Sequence, residues 1–177
     1  TTHGHNLTDE IIQELKDNIS FIRVSIDGIE PIYSRLRHRP LENLLPNLRA
    51  MKGQIPFGIN TIVNKLTVNN LDDLKPLFFE YEAFELLLLP MWHKGKYVLS
   101  EDDWLVLNNW IERNHKDIPI RISNTAKKYL NLPFLFDNAE WDNDYCFIGI
   151  DKTLRKDSFT NHGFNIEQYD NFESLLI

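Results

Sequence analysis

Cysteine is almost missing from this chain: Cys146 is the only one in 177 residues. A disulfide framework needs paired thiols, so none is expected, and a reducing cytoplasm is the compartment such a chain fits. Long apolar runs are also missing. The best, Leu86 to Trp92, is interrupted by Pro90 and falls far short of a membrane span. Positive charge is in deficit, with 19 Lys and Arg against 26 Asp and Glu and a net charge of −7. That balance argues against a broad nucleic-acid-binding face and against attraction to an anionic membrane. No internal repeat or low-complexity tract appears. What is present, 42% hydrophobic and 25% charged residues, is ordinary for a folded domain with a real core, alone or with an appendage.

The stretch Phe21 to Arg37, FIRVSIDGIEPIYSRLR, organises the rest. Its β-branched start breaks at Asp27-Gly28, and a helical segment carrying Arg35, Arg37 and Arg39 follows. Strand, tight turn and helix in that order make one unit of a parallel α/β sheet. Ligands of such sheets collect at the carboxyl ends of strands, where Ser25 and Asp27 would sit. A hydroxyl, a carboxylate and a guanidinium together suit a polar ligand bearing a hydroxylated sugar and a carboxylate. The plainer alternative is a strand-ending turn beside a solvated basic face.

Two further runs read as strands. Ile55 to Val63 carries Asn60 and Thr61 near its carboxyl half, and Phe84 to Pro90 has the pattern of a strand buried on both faces. Between them, Asn70 or Asp72 caps a helix with Leu71, Leu74, Leu77 and Phe78 inward. Near the start, Thr8 reads as the N-cap of a helix burying Ile11, Ile12 and Leu15. Helices are expected to start near Pro31 and Pro40, with Pro46 interrupting the second and Gly53 stopping it. Ser100 to Asp103 has a capping-box pattern ahead of a stripe of Trp104, Leu107 and Ile111, with Trp110 to one side. His3 and His5 share a face on an extended segment, but two ligands without a nearby third fall short of a metal site. Beyond Asp117 come short apolar runs, an acidic loop (DNAEWDNDY), and a β-hairpin with its turn near Asp151-Lys152.

VSIDG followed by Tyr33 and Arg37 resembles the fourth-strand segment of the radical S-adenosylmethionine (radical SAM) superfamily, particularly its peptide-maturing branch. INTIVNK followed by LDDL resembles the family's fifth strand and helix, and FELLLLP with MWHKG its sixth strand and the loop beyond. Thr1 to Leu7 fits the segment that closes the third strand, with His3 where that family usually has Asn. The resemblance implies an α/β fold: the carboxyl-terminal part of a partial (β/α)6 barrel with parallel strands over residues 1–117, then a small α+β extension over 118–177. It implies S-adenosylmethionine as cofactor, contacted by Ser25, Asp27, Arg37, Asn60 and Thr61, with His93 at the barrel mouth facing a small-molecule or peptide substrate.

The family's CxxxCxxC loop, which holds a 4Fe-4S cluster, has no counterpart here, nor has its GGE-like motif. The resemblance therefore implies that the cluster ligands lie outside these residues, in a missing amino-terminal half of the barrel, which becomes the chief partner. Cys146 followed by Ile150-Asp151 resembles the start of the family's cysteine-rich extension, but Ser158 and His162 stand where further ligands would be. No auxiliary cluster is expected. On this reading the chain is part of an enzyme that forms a 5′-deoxyadenosyl radical for substrate modification. The alternatives are a non-catalytic recognition module derived from the same barrel, or an unrelated α/β-barrel fragment.

Overall fold

The apolar runs after Phe21, Ile55 and Phe84 lie side by side as parallel strands. The structure, a computed structural model, describes residues 1–93, 95–135, 147–156 and 160–168. Lys94, the acidic loop, Cys146 and Ser158 lie outside the described residues. Strands β1 (Ile22–Ser25), β2 (Phe57–Val63), β3 (Leu86–Pro90) and β4 (Ile120–Ile122) form one parallel sheet in the order β1-β2-β3-β4. Thr2 adds a parallel bridge to Val24 on the outer side of β1: its N–H donates to Arg23 O at 2.8 Å, and its carbonyl accepts from Ser25 N at 2.9 Å. Parallel neighbours require crossovers, and right-handed crossovers advancing in one direction place every connecting helix on the same side of the sheet.

The helices follow local chemistry. Helix α1 (Asp9–Leu15) starts at Thr8, whose hydroxyl accepts from Ile11 N, with Asp9 and Glu10 at the positive end of the dipole. Only Ile12 of its expected stripe is fully buried; Ile11 is exposed, because a seven-residue helix turns just one narrow side inward. Helix α2 (Ile32–Arg37) begins directly after Pro31 and buries Tyr33. Leu41–Asn43 form a 3-10 turn, after which Pro46 lies in the first turn of α3 (Leu45–Met51), a place where its missing N–H costs nothing. Pro46 thus helps start a helix rather than kink one, and Gly53 follows with a φ of 72°.

Val68–Leu74, a 3-10 segment, leads into α4 (Lys75–Glu80), and Leu71, Leu74, Leu77 and Phe78 all point inward. Asn70 sits inside that segment and caps nothing; its amide donates to Leu66 O at 3.0 Å. Ser100 and Asp103 complete a capping box at α5 (Glu101–Asn114). Trp110 of α5 is buried with the stripe, not beside it, because its indole N–H reaches Asp72 Oδ1 at 3.1 Å.

The chain divides into two compact units, Thr1–Asp137 and Asn138–Ile177. The first unit reaches past residue 117 because Ile120–Ile122 pair with Leu86–Leu88 and extend the sheet by one strand. In the second unit, β5 (Phe147–Ile148), β6 (Thr153–Arg155) and β7 (Phe164–Asn165) form an antiparallel sheet in that order. Its first turn is closed by Lys152 N donating to Gly149 O at 2.9 Å, where the sequence pattern puts a turn.

Candidate functional site

Register decides which side chains share a face. Ser25 lies opposite Asn60, Asn60 opposite Leu87, and Leu87 opposite Arg121. Side chains alternate along each strand, so Arg23, Ser25, Gly58, Asn60, Ile62, Glu85, Leu87, Leu89 and Arg121 occupy one face. Val24, Ile26, Ile59, Val63, Leu86 and Leu88 occupy the other and belong to the buried core. Leu87 and Leu89 are only half-buried, so β3 is fully covered on its core face alone and not on both faces. The polar face is the one turned away from the core.

Its lower level is an ion cluster. Glu85 Oε1 accepts from Arg23 Nε at 2.7 Å, and Oε2 lies 2.8 Å from Arg121 Nε, joining β1 and β4 across the strands between them. The cluster fits because residue 58 is glycine: a Cβ there would come within 2.8 Å of Glu85 Cγ and 2.9 Å of Phe21 Cζ. Above it sit Ser25 and Asn60, both buried. Asn60 Oδ1 has no hydrogen-bond partner. A buried carbonyl oxygen without a protein donor is costly unless water or a bound group supplies one.

At the carboxyl end of β1, Asp27 is buried and spends both oxygens. Oδ1 accepts from Ile62 N at 2.8 Å, and Oδ2 pairs with Arg37 Nε at 2.6 Å. Arg37 also donates through Nη1 to His3 Nδ1 at 3.0 Å. A guanidinium cannot accept, so neutral His3 carries its proton on Nε2. Asp27 and Arg37 thus tie the strand end to α2 and to the 2–6 segment. Thr61 is fully buried on the core face, its hydroxyl donating to Ile26 O at 2.7 Å. His93 lies just past the carboxyl end of β3, exposed, with its ring 5.1 Å from Trp92. No hydrogen bond or ion pair joins it to Ser25, Asp27 or Arg37 among the described residues.

Beside this strand end lies a cavity of about 380 Å³ lined by Thr2, His3, Gly4, His5, Asn6 and residues of the α2 region: Tyr33, Leu36, Arg37 and Arg39. Gly4 lets the segment pass closely over the core, since a Cβ there would meet Leu44 Cδ1 at 2.7 Å. Asn47 Nδ2 fixes it by donating to Gly4 O at 2.8 Å. His5 Nε2 and Tyr33 Oη are 2.9 Å apart. Burial, then Arg39 and His3, push the His5 pKa down, while burial pushes that of Tyr33 up. Sequence patterning does not single out this pocket, because its two halves lie some thirty residues apart and carry no shared motif. Among the described residues no group of three or more His, Cys, Asp or Glu gathers to hold a metal, and no helix is long and apolar enough to cross a membrane.

No protein-family model and no curated protein matches the sequence. Solved structures do match. The structure of anSMEcpe with bound AdoMet and Kp18Cys peptide is 16% identical, with a TM-score of 0.64 over 98% of this chain and 55% of that one. Streptococcus suis SuiB bound to S-adenosylmethionine is 10% identical, with a TM-score of 0.64 over 98% of this chain and 46% of that one. SuiB bound to precursor peptide SuiA is 12% identical, with a TM-score of 0.63 over the same shares. The chain spans about half the length of the structures it matches. The chain thus shares the fold of these radical SAM structures, partial relative to their whole length: a parallel α/β sheet followed by a small antiparallel sheet.

Proposed function

We propose that this chain is the cofactor- and substrate-facing portion of a radical SAM enzyme acting on a peptide. The observation that carries this reading is the buried, partnerless Asn60 Oδ1 beside Ser25, the last residue of β1. An acceptor and a hydroxyl on adjacent strands suit the hydroxyl and amino groups of S-adenosylmethionine. The neighbours with bound AdoMet and with bound peptides support the same ligand classes. When bound with its 4Fe-4S cluster, S-adenosylmethionine supplies a 5′-deoxyadenosyl radical able to remove a substrate hydrogen.

This chain's residues fit the nucleoside ligand but not the cluster. Thiolates are the ligands a cluster of that kind needs, and the only cysteine, Cys146, is too few. Cluster ligands therefore come from the other half of the barrel. Ser25 and Asn60 bind and orient the ligand. Arg37 keeps Nε on Asp27 and Nη1 on His3, leaving Nη2 to donate to a ligand carboxylate. Asp27, with both oxygens used, holds that guanidinium in place rather than reaching a ribose. Thr61 steadies β1 from the core side, and His93 borders the mouth where the substrate enters.

The test is calorimetric titration of S-adenosylmethionine into this chain joined to its amino-terminal half. Asn60→Leu, similar in size but without polar atoms, should weaken binding about tenfold or more, the worth of a lost buried hydrogen bond. Unchanged affinity in both Asn60→Leu and Ser25→Ala would remove the reading.

A further inference from the structure

We propose that the cavity between the 2–6 segment and α2 is a carboxylate site, and that it receives an acidic side chain of the peptide substrate. The argument begins with its donors. His3 presents Nε2–H, because its Nδ1 is taken by Arg37 Nη1. Arg39 contributes a whole guanidinium: among the described residues it has no ion pair and no side-chain hydrogen bond, and it is exposed at the rim. No acidic residue lines the cavity among the described residues.

Charge decides what kind of anion fits. The positive charge of Arg37 is matched by Asp27 at 2.6 Å, while that of Arg39 is matched by nothing nearby. One uncompensated charge suits a monoanion, a carboxylate, better than a phosphate dianion, and a guanidinium grips a carboxylate through two parallel hydrogen bonds. Burial first, and then the charge of Arg39, lower the pKa of His5, so an anion beside Arg39 would offset the second cause. Glu30, just before α2, is engaged elsewhere: it accepts from Ser34 N at 3.2 Å and Leu41 N at 2.7 Å.

The methionine end of S-adenosylmethionine is a poorer occupant for Arg39, since that ligand carries its own ammonium and sulfonium beside its carboxylate. A peptide carboxylate brings no such compensation. The carboxylate assignment stands on the cavity alone; the peptide source rests on the function proposed above.

The experiment uses this chain and two probes, N-acetyl-glutamate α-methylamide and its glutamine counterpart, followed through the His5 imidazole resonances. The glutamate probe should bind saturably and raise the His5 pKa, because its charge offsets that of Arg39. The glutamine probe should bind about tenfold more weakly or less, the difference a charged hydrogen bond makes. Arg39→Gln should bring the glutamate probe down to the glutamine level, whereas Arg35→Gln, outside the cavity, should not. Near-ultraviolet circular dichroism establishes that both variants remain folded. Equal binding of the two probes, an indifferent Arg39→Gln, or tighter binding of inorganic phosphate would overturn the carboxylate assignment. In the chain joined to its amino-terminal half, S-adenosylmethionine and the glutamate probe should bind together. Mutual exclusion would overturn the peptide source. The behaviour of Asn60→Leu toward S-adenosylmethionine bears only on the earlier proposal, so the two fail separately.

Discussion

At the scale of single residues, His5 links the pocket to folding. Burial first, and then the charge of Arg39, hold its pKa below the ordinary value of 6.5, so the folded chain favours the neutral ring. A histidine with a depressed folded pKa stabilises fully above its unfolded pKa and loses that contribution as pH falls through the folded one. Thermal melts should therefore show the midpoint falling as pH drops from about 6.5 toward 5. His5→Gln should flatten that slope while leaving the decline at lower pH. The lower decline belongs to carboxylates such as Glu30, whose pKa is held down by hydrogen bonds from Ser34 and Leu41. Melts of His5→Gln that track the wild type between pH 6.5 and 5 would assign the sensitivity to another group. The same residue illustrates a limit of sequence reading. His3 and His5 alternate as a metal pair would, yet one ring turns to Arg37 and the other to Tyr33, partners supplied from beyond the turn at Gly28.

At the scale of elements, strand periodicity carries most of the information. The apolar runs place β1, β2 and β3, and Asp27-Gly28 places the end of β1, because β-branched residues and turn residues act locally. The polar face is legible in the same way once Arg23, Ser25 and Asp27 are seen to alternate, but Glu85 is hidden by its own apolar run, FELLLLP. Only cross-strand register brings it between Arg23 and Arg121. Similarly, Asn60 and Thr61 are equal candidates as sequence neighbours, and alternation sends one to the polar face and the other into the core. Strand β4 is three residues long and is held by its pairing with β3, so propensity alone announces it weakly. Glu85→Gln tests the cluster. It leaves two guanidiniums facing a neutral amide at the centre of the sheet, which should cost about 3 kcal/mol, the low end for breaking a buried ion pair because both arginines keep some water. Denaturant melts measure it, and a loss under about 0.5 kcal/mol, typical of a surface pair, would mean the cluster is solvated.

At the scale of the whole molecule, the sheet continues past β1 as far as Thr2 and presents an edge there. In parallel pairing a residue's N–H and C=O point to the same side, and its neighbours point to the other. Thr2 bonds to Arg23 and Ser25, so His3 directs its N–H and C=O away from β1, and neither has a hydrogen-bond partner among the described residues. An edge of this kind invites another strand. On the function proposed above, the other half of a radical SAM barrel would fill it and close the polar face over Ser25 and Asn60; left open, it favours association between copies. Sedimentation of the chain by itself should therefore show concentration-dependent self-association that disappears when the amino-terminal half is joined to it. Hydrogen exchange locates the contact. The His3 amide should become strongly protected in the joined protein, while the Thr2 amide, already donating to Arg23 O, should change little. If the His3 amide exchanged at the same rate in both forms, the other half would have to meet this sheet elsewhere, and the barrel would not close through Thr2.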